Sequence, residues 1–233
     1  MKLYKVGGCV RDELLGLKPK DIDYVYVSEK TNIDEAWEDL RGQMISNGYE
    51  VFLETKECFT IRARLGKEVA DFVLARKERY LPDSRIPVVD VGSLQDDLLR
   101  RDFTLNALAQ DSDGKIIDVC GGLQDLEDRI LKCPLEPVVT FTDDPLRILR
   151  ALRFSVTKNF TIDLSVLDSF RNQDIWSKFS TVSDERIREE LFKMFKCDTK
   201  RSLEILYRLN EFSPGSLGRI LNNVWLKPSL EPI

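Results

Sequence analysis

Apolar positions alternate with polar ones in short runs over the first 75 residues. Beyond residue 145 they recur every third or fourth position. A spacing of two is that of a strand with one buried face, and a spacing of three to four is that of a helix with a buried stripe. Residues 3–6 read as a strand, broken by Gly7-Gly8, and residues 10–15 as the start of a helix. Residues 22–27 read as a second strand and 33–47 as a longer helix, while 49–53, 58–65 and 68–75 read as three more strands punctuated by Gly48 and Gly66. Residues 81–91 contain Pro82 and Pro87 and read as a loop. After Pro145 the spacing of Leu146, Leu149 and Leu152, and later of Ile187, Leu191 and Phe195, is helical. Residues 118–126, with Gly121-Gly122 inside them, read as the junction. The expected fold class is α+β: a head with a mixed sheet over residues 1–135, then a helical region over residues 136–233.

Composition narrows the chemistry. The 233 residues include no histidine, which excludes histidine general bases, histidine metal ligands and Ser-His-Asp triads. Five cysteines are dispersed, with no C-x-x-C pair, and are expected to be reduced thiols of a cytoplasmic protein. A metal here would be held by oxygen or sulfur, and the abundance of carboxylates favours a hard ion such as Mg²⁺. No run approaches a membrane span, so no membrane partner is expected. The net charge is −5, but it is unevenly spread. Residues 1–144 carry 20 Lys and Arg against 29 Asp and Glu, and residues 145–233 carry 15 against 11. An acidic front suits metal ligation and a basic back suits a phosphate backbone, although chance asymmetry in a soluble protein gives the same numbers.

One constellation carries chemistry. Asp21-Ile22-Asp23 is expected to open a strand, which would point both carboxylates to one face. Paired carboxylates a few ångströms apart repel unless a divalent cation lies between them, the arrangement of two-metal phosphoryl transfer. Asp71 interrupts an apolar strand and is the candidate third carboxylate. By itself a D-x-D reads as a solvated turn. Here Gly7-Gly8-Cys9-Val10-Arg11-Asp12 lies just upstream, between a strand and a helix. Gly8 there lets backbone amides approach an anion, and Arg11 adds a charged donor for a triphosphate.

These residues resemble the first motif of class II tRNA nucleotidyltransferases and the related bacterial poly(A) polymerases, within the DNA polymerase β superfamily. Arg100-Arg101-Asp102-Phe103-Thr104-Leu105-Asn106-Ala107-Leu108 is similar to their second motif. Asp118 with Gly121-Gly122-Leu123 and Asp125-Leu126 is similar to the third, Asp143-Asp144-Pro145 through Phe154 to the fourth, and Glu185 through Leu191 to the fifth. The resemblance implies that Asp21 and Asp23 ligate two Mg²⁺ ions, with Asp71 as third catalytic carboxylate. It implies nucleotide binding by Gly8, Arg11, Arg101, Asp102, Asn106, Asp144, Arg147, Arg150 and Arg153. Asp144 would accept from the amine of cytosine or adenine while Arg147 donates to the ring, which selects CTP and ATP over UTP and GTP without a template. The implied activity is addition of CMP, AMP or both to the 3′ end of tRNA. Departures are Asp143 where the family usually has Glu, and a length that suggests a short member without most of the body and tail domains, so a further RNA-binding partner or an oligomer is compatible. Residues 76–102 resemble the family's flexible loop. Alternatives are a poly(A) polymerase acting on other RNA ends, a small-molecule nucleotidyltransferase, which would lack the Asp144/Arg147 helix, and a nucleotide-binding regulator without catalysis.

Overall fold

The computed structural model describes residues 2–80, 87–222 and 224. They pack into two compact units, one of residues 2–79, 87–128 and 133–135, the other of residues 80, 129–132 and 136 onward. The first unit is α+β and the second is helical apart from one pair of two-residue strands.

The first unit runs β1 (Leu3–Val6), α1 (Gly8–Leu14), β2 (Asp23–Tyr26), α2 (Ile33–Ser46), β3 (Glu50–Thr55), β4 (Thr60–Leu65) and β5 (Glu68–Leu74). It continues with β6 (Arg76–Arg79), β7 (Val88–Val91), α3 (Leu94–Leu99), β8 (Leu108–Gln110), β9 (Ile116–Asp118) and α4 (Gly122–Glu127). Seven strands form one mixed sheet in the order β3-β4-β5-β2-β1-β8-β9, parallel between β2 and β5 and antiparallel elsewhere. Strand alternation divides the core in two. Tyr24, Tyr26, Phe72 and Leu74 pack with Trp37, Leu40 and Met44 of α2. Val25 and Ala75 pack with Val6, Ala109 and Leu98 of α3. Helix α2 forms where its pattern places it: Asn32 caps the amides of Asp34 and Glu35, two acids lie in the first turn, and Ala36, Trp37, Leu40 and Met44 make the buried stripe.

Strand β2 begins at Asp23, so Asp21 lies before it in an exposed bend rather than on the strand, although the carbonyl of Ile22 already accepts from the Asp71 amide at 3.0 Å. Residues 88–91, expected as loop, form β7, which pairs antiparallel with β6. Val89 and Val91 pack against the α2 side of the core, and burial outweighs the turn signal of Pro87. Residues 81–86 of that expected loop lie outside the described residues.

The second unit contains β10 (Ile130–Leu131), α5 (Pro137–Asp143), α6 (Leu146–Thr157), β11 (Thr161–Ile162), α7 (Leu164–Ser169) and α8 (Gln173–Lys178). Three further helices follow, α9 (Asp184–Cys197), α10 (Thr199–Phe212) and α11 (Ser216–Leu221). Residues 129–132 group with this unit because β10 pairs in parallel with β11. Its core joins Leu149 and Leu152 of α6 to Leu191 and Met194 of α9, with Phe141 and Phe170 edge to face at 5.0 Å.

Candidate active site

Strand register explains the carboxylates. Asp23 and Asp71 are Cα partners in the parallel pair β2–β5, and Arg62 is the partner of Asp71 in the antiparallel pair β4–β5. The three side chains therefore stand side by side on the face opposite α2. Arg62 donates from Nε to Asp71 Oδ1 at 2.7 Å and from Nη2 to Oδ2 at 2.8 Å, so both oxygens of Asp71 are engaged. Burial pushes the Asp23 carboxyl up; Arg101 pulls it down, Asp71 and Asp21 push it up again, and the net shift is upward. Asp23 thus carries a charge that its surroundings compensate poorly. Among the described residues no group of three or more Asp, Glu or Cys side chains converges as a ready-made metal shell. The crowding of Asp21 and Asp23 nonetheless fits a hard divalent cation, which would bring oxygen-ligated positive charge where the protein leaves negative charge in excess.

The turn beside them is built by Gly7, which has φ of 76° and no side chain to cap α1. Gly8 follows as the first residue of α1, whose first intrahelical bond runs from the Arg11 amide to Gly7 at 3.0 Å. Arg11 is buried and grips Asp12 Oδ1 from Nε and Nη2 at 2.9 and 2.8 Å. It also donates from Nη1 to Asn106 Oδ1. Asn106 in turn donates from Nδ2 to Asp102 Oδ1 at 2.8 Å, and that oxygen accepts the Phe103 amide at 2.9 Å. Three residues read from two motifs, Arg11, Asp102 and Asn106, are thus one buried network, and the Asn106 amide has a donor on one side and an acceptor on the other.

Arg101 lies over the turn. A Cβ built on Gly7 would come within 2.5 Å of Arg101 Nη1. Its Nη2 donates to Asp97 Oδ2 at 2.9 Å. Asp97 is fully buried at 0% exposure and also accepts from Arg100 Nε and Nη2 at 3.0 and 2.5 Å. Glu78 accepts from Arg100 at 2.8 Å and from Arg76 at 2.8 and 2.9 Å. Neither Asp97 nor Arg62 stands out in the sequence. The available signal for Asp97 was its place three and four residues before two arginines; nothing in the spacing pointed Arg62 at Asp71.

The third motif is structural. Asp118 accepts the amides of Cys120, Gly122 and Leu123 at 3.1, 2.9 and 2.9 Å, and Asp125 accepts the Thr104 hydroxyl at 2.8 Å. Residues 118–126, expected as the junction, lie within the first unit.

In the second unit Asp144 lies between α5 and α6, and its Oδ1 accepts the Leu146 amide at 3.2 Å. Arg147 donates from Nη1 to the Thr140 carbonyl at 3.3 Å. Arg150 and Arg153 follow at successive spacings of three along α6, with guanidinium carbons 5.8 and 4.2 Å from the Phe154 ring centroid. Arg153 also pairs through Nε with Glu190 of α9, which joins the fourth and fifth motifs.

A family model of the poly A polymerase head domain matches residues 3–132. A tRNA nucleotidyltransferase of Schizosaccharomyces pombe is 36% identical over 227 residues, an alignment covering 88% of this chain and 46% of that protein. The CCA-adding enzyme of Bacillus stearothermophilus, solved in complex with CTP, superposes with a TM-score of 0.74 at 28% identity over 91% of this chain and 50% of its own. A tRNA nucleotidyltransferase solved with a primer tRNA and an incoming ATP analogue gives a TM-score of 0.70 at 32% identity over 97% of this chain and 61% of its own. The chain spans about half the length of these relatives.

Proposed function

The chain belongs to the poly A polymerase head domain family, and from that membership we propose that it adds CMP, AMP or both, from CTP and ATP, to the 3′ end of a tRNA without a template. The observation that carries the reading is the in-register pair Asp23 and Asp71, with Asp21 close by and Arg101 over the adjoining Gly7 turn. Named relatives that act on tRNA, one with CTP and one with an ATP analogue, support the substrates. A cytoplasmic setting, where tRNA and reduced thiols coexist, belongs to the same proposal.

Asp21 and Asp23 would hold two Mg²⁺ ions, which when bound lower the pKa of the attacking 3′-hydroxyl and neutralise charge on the leaving pyrophosphate. Gly8, through its backbone at the turn, and Arg11 and Arg101, through their guanidinium groups, bind the triphosphate. The Arg11–Asn106–Asp102 network orients polar atoms towards the ribose, where the 2′-hydroxyl is both donor and acceptor. Asp144 and Arg147 read the Watson–Crick edge of the base, and Arg150 and Arg153 extend the same positive stripe along α6. Asp71 keeps the third carboxylate position with Arg62 as its counter-charge.

The test is incubation with tRNAs ending at the discriminator base, C or CC, with each labelled nucleoside triphosphate and Mg²⁺. Incorporation of C, A or both, stopping at three residues or fewer, is expected. A long tract of A on unrelated RNA ends would replace this reading with that of a poly(A) polymerase. Nucleotide binding without incorporation would replace it with that of a regulator.

A further inference from the structure

A buried acid that serves two arginines departs from one-to-one charge pairing. Asp97, on α3, has no exposed surface, yet it accepts from both Arg100 and Arg101. Its carboxyl feels a burial penalty that pushes it up and two guanidinium charges that outweigh it, so it stays ionised. Arg100 is shared again with Glu78, whose side chain is 4% exposed and which also takes Arg76. The outcome is a line of alternating charges, Arg76–Glu78–Arg100–Asp97–Arg101, running from β6 to the turn at Gly7. Arg101 Nε is buried with no hydrogen-bond partner among the described residues, and its Nη1 reaches the Asn106 carbonyl only at 3.5 Å. One corner of that guanidinium is fixed by Asp97, and Nη1 is held over Gly7, with the guanidinium close enough to Asp23 to pull its carboxyl down.

We infer that Asp97 is a positioning residue for nucleotide binding, holding Arg101 over the Gly7 turn so that its Nη1 edge meets the triphosphate of the incoming nucleotide. The inference rests on the proposed role of Arg101 as a triphosphate contact. Physically, an arginine on an exposed loop loses rotamer freedom when it binds a phosphate, and a buried anchor removes that loss before the ligand arrives. A carboxylate suits this better than a neutral acceptor because one oxygen serves each arginine and the charge offsets both.

The readout is nucleotide affinity, measured by calorimetry with CTP and with ATP, alongside thermal melting and affinity for a tRNA 3′ end. Asp97→Asn keeps the shape and removes the charge. It is expected to weaken nucleotide binding by about tenfold to a hundredfold, the scale of a lost charge-assisted bond, and to leave RNA affinity unchanged. The double variant with Arg101→Ala should bind nucleotide no more weakly than Arg101→Ala alone, since the anchor has no purpose without its arginine. Additive losses in the double variant, or equal loss of nucleotide and RNA affinity, would show Asp97 to be structural and overturn the inference. Should Asp97→Asn fail to fold, Glu78→Gln acts on the same line through Arg100. It is expected to weaken nucleotide binding by a smaller factor that also vanishes in the Arg101→Ala background, and additivity there overturns the inference equally. Wild-type protein that binds CTP and ATP but extends no RNA would remove the proposed reaction and leave this inference standing.

Discussion

Two aspartates of the first unit respond to folding in opposite senses. Asp23 holds its proton more tightly in the fold than an ordinary aspartate, through burial first and through Asp71 and Asp21 against the pull of Arg101. A folded value raised above the unfolded one contributes stability below the unfolded pKa and loses it as pH rises through the folded value. At neutral pH the ionised Asp23 is therefore a cost. Asp23→Asn should raise the thermal midpoint at pH 7 without divalent cation, by an amount that shrinks in acid, while abolishing nucleotide addition. An unchanged or lowered midpoint with normal turnover would contradict both the electrostatics and the assignment. Burial also acts upward on Asp118, but the amides of Leu123, Gly122 and Cys120 outweigh it and lower its pKa. Its contribution is present above the unfolded pKa and is lost as pH falls through the folded value. Asp118→Asn should cost about 1–2 kcal/mol at neutral pH by denaturant melts, with the gap to wild type closing in acid. Asp23 was legible in the sequence as chemistry, from the D-x-D beside a glycine turn. The sense of its shift was not, because it depends on neighbours 48 and 78 residues away in the chain.

At the scale of elements, two glycines inside helices behave differently because of what lies beyond each helix. In α4 a Cβ on Gly122 would stand 2.2 Å from the Thr104 carbonyl oxygen and 2.8 Å from its carbon, both backbone atoms that cannot yield. Helix and 3₁₀ turn (Thr104–Asn106) pack at the distance a missing side chain permits. Gly122→Ala should destabilise by about 1–3 kcal/mol. Gly42 is exposed in α2 with nothing within 4 Å of its Cβ position, so Gly42→Ala should stabilise by about 0.5–1 kcal/mol. Denaturant titration of both variants checks the pair, and destabilisation by Gly42→Ala or tolerance of Gly122→Ala would refute the packing argument. Helix α2 and strands β4 and β5 were legible from periodicity because each keeps one face buried, whereas β1, β2 and the largely exposed β3 were legible only as short apolar runs between polar or glycine breaks. Strand β7 was not, since Pro87 and three valines around an aspartate fit a loop as well as an edge pair. Helix α3, strands β8 and β9 and the pair β10–β11 carry too few residues for a period to show.

For the whole molecule, most of the acidic front of the chain falls in the first compact unit and the basic back in the second. The first holds the carboxylates proposed for chemistry, and the second holds the arginines and Asp144 proposed for base reading. Asp144 has a structural duty as well, since its Oδ1 accepts the Leu146 amide at the start of α6. Asp144→Arg should therefore cost about 0.5–2 kcal/mol of stability by thermal or denaturant melting. It should also move nucleotide preference towards UTP or GTP, because a donor then faces the position that is an amine in C and A and a carbonyl in U and G. Comparison of kcat/KM for all four nucleotides on wild type and variant checks it. A folded, active variant with the original order of preference would leave Asp144 as a helix cap and nothing more.

The sequence alone determined the α+β class, the family resemblance and the candidate residues, because strand period, glycine turns and motif order are local properties of the chain. It could not determine who holds whom. Arg62 on both oxygens of Asp71, Arg11 across 95 residues to Asn106, and Asp97 shared by two arginines all depend on register and burial. An ion pair is decided by distances of about 3 Å between side-chain tips, and one strand register or one helix turn moves those tips farther than that. Only the tertiary structure fixes them, and with them which charges are spent inside the protein and which remain for a ligand.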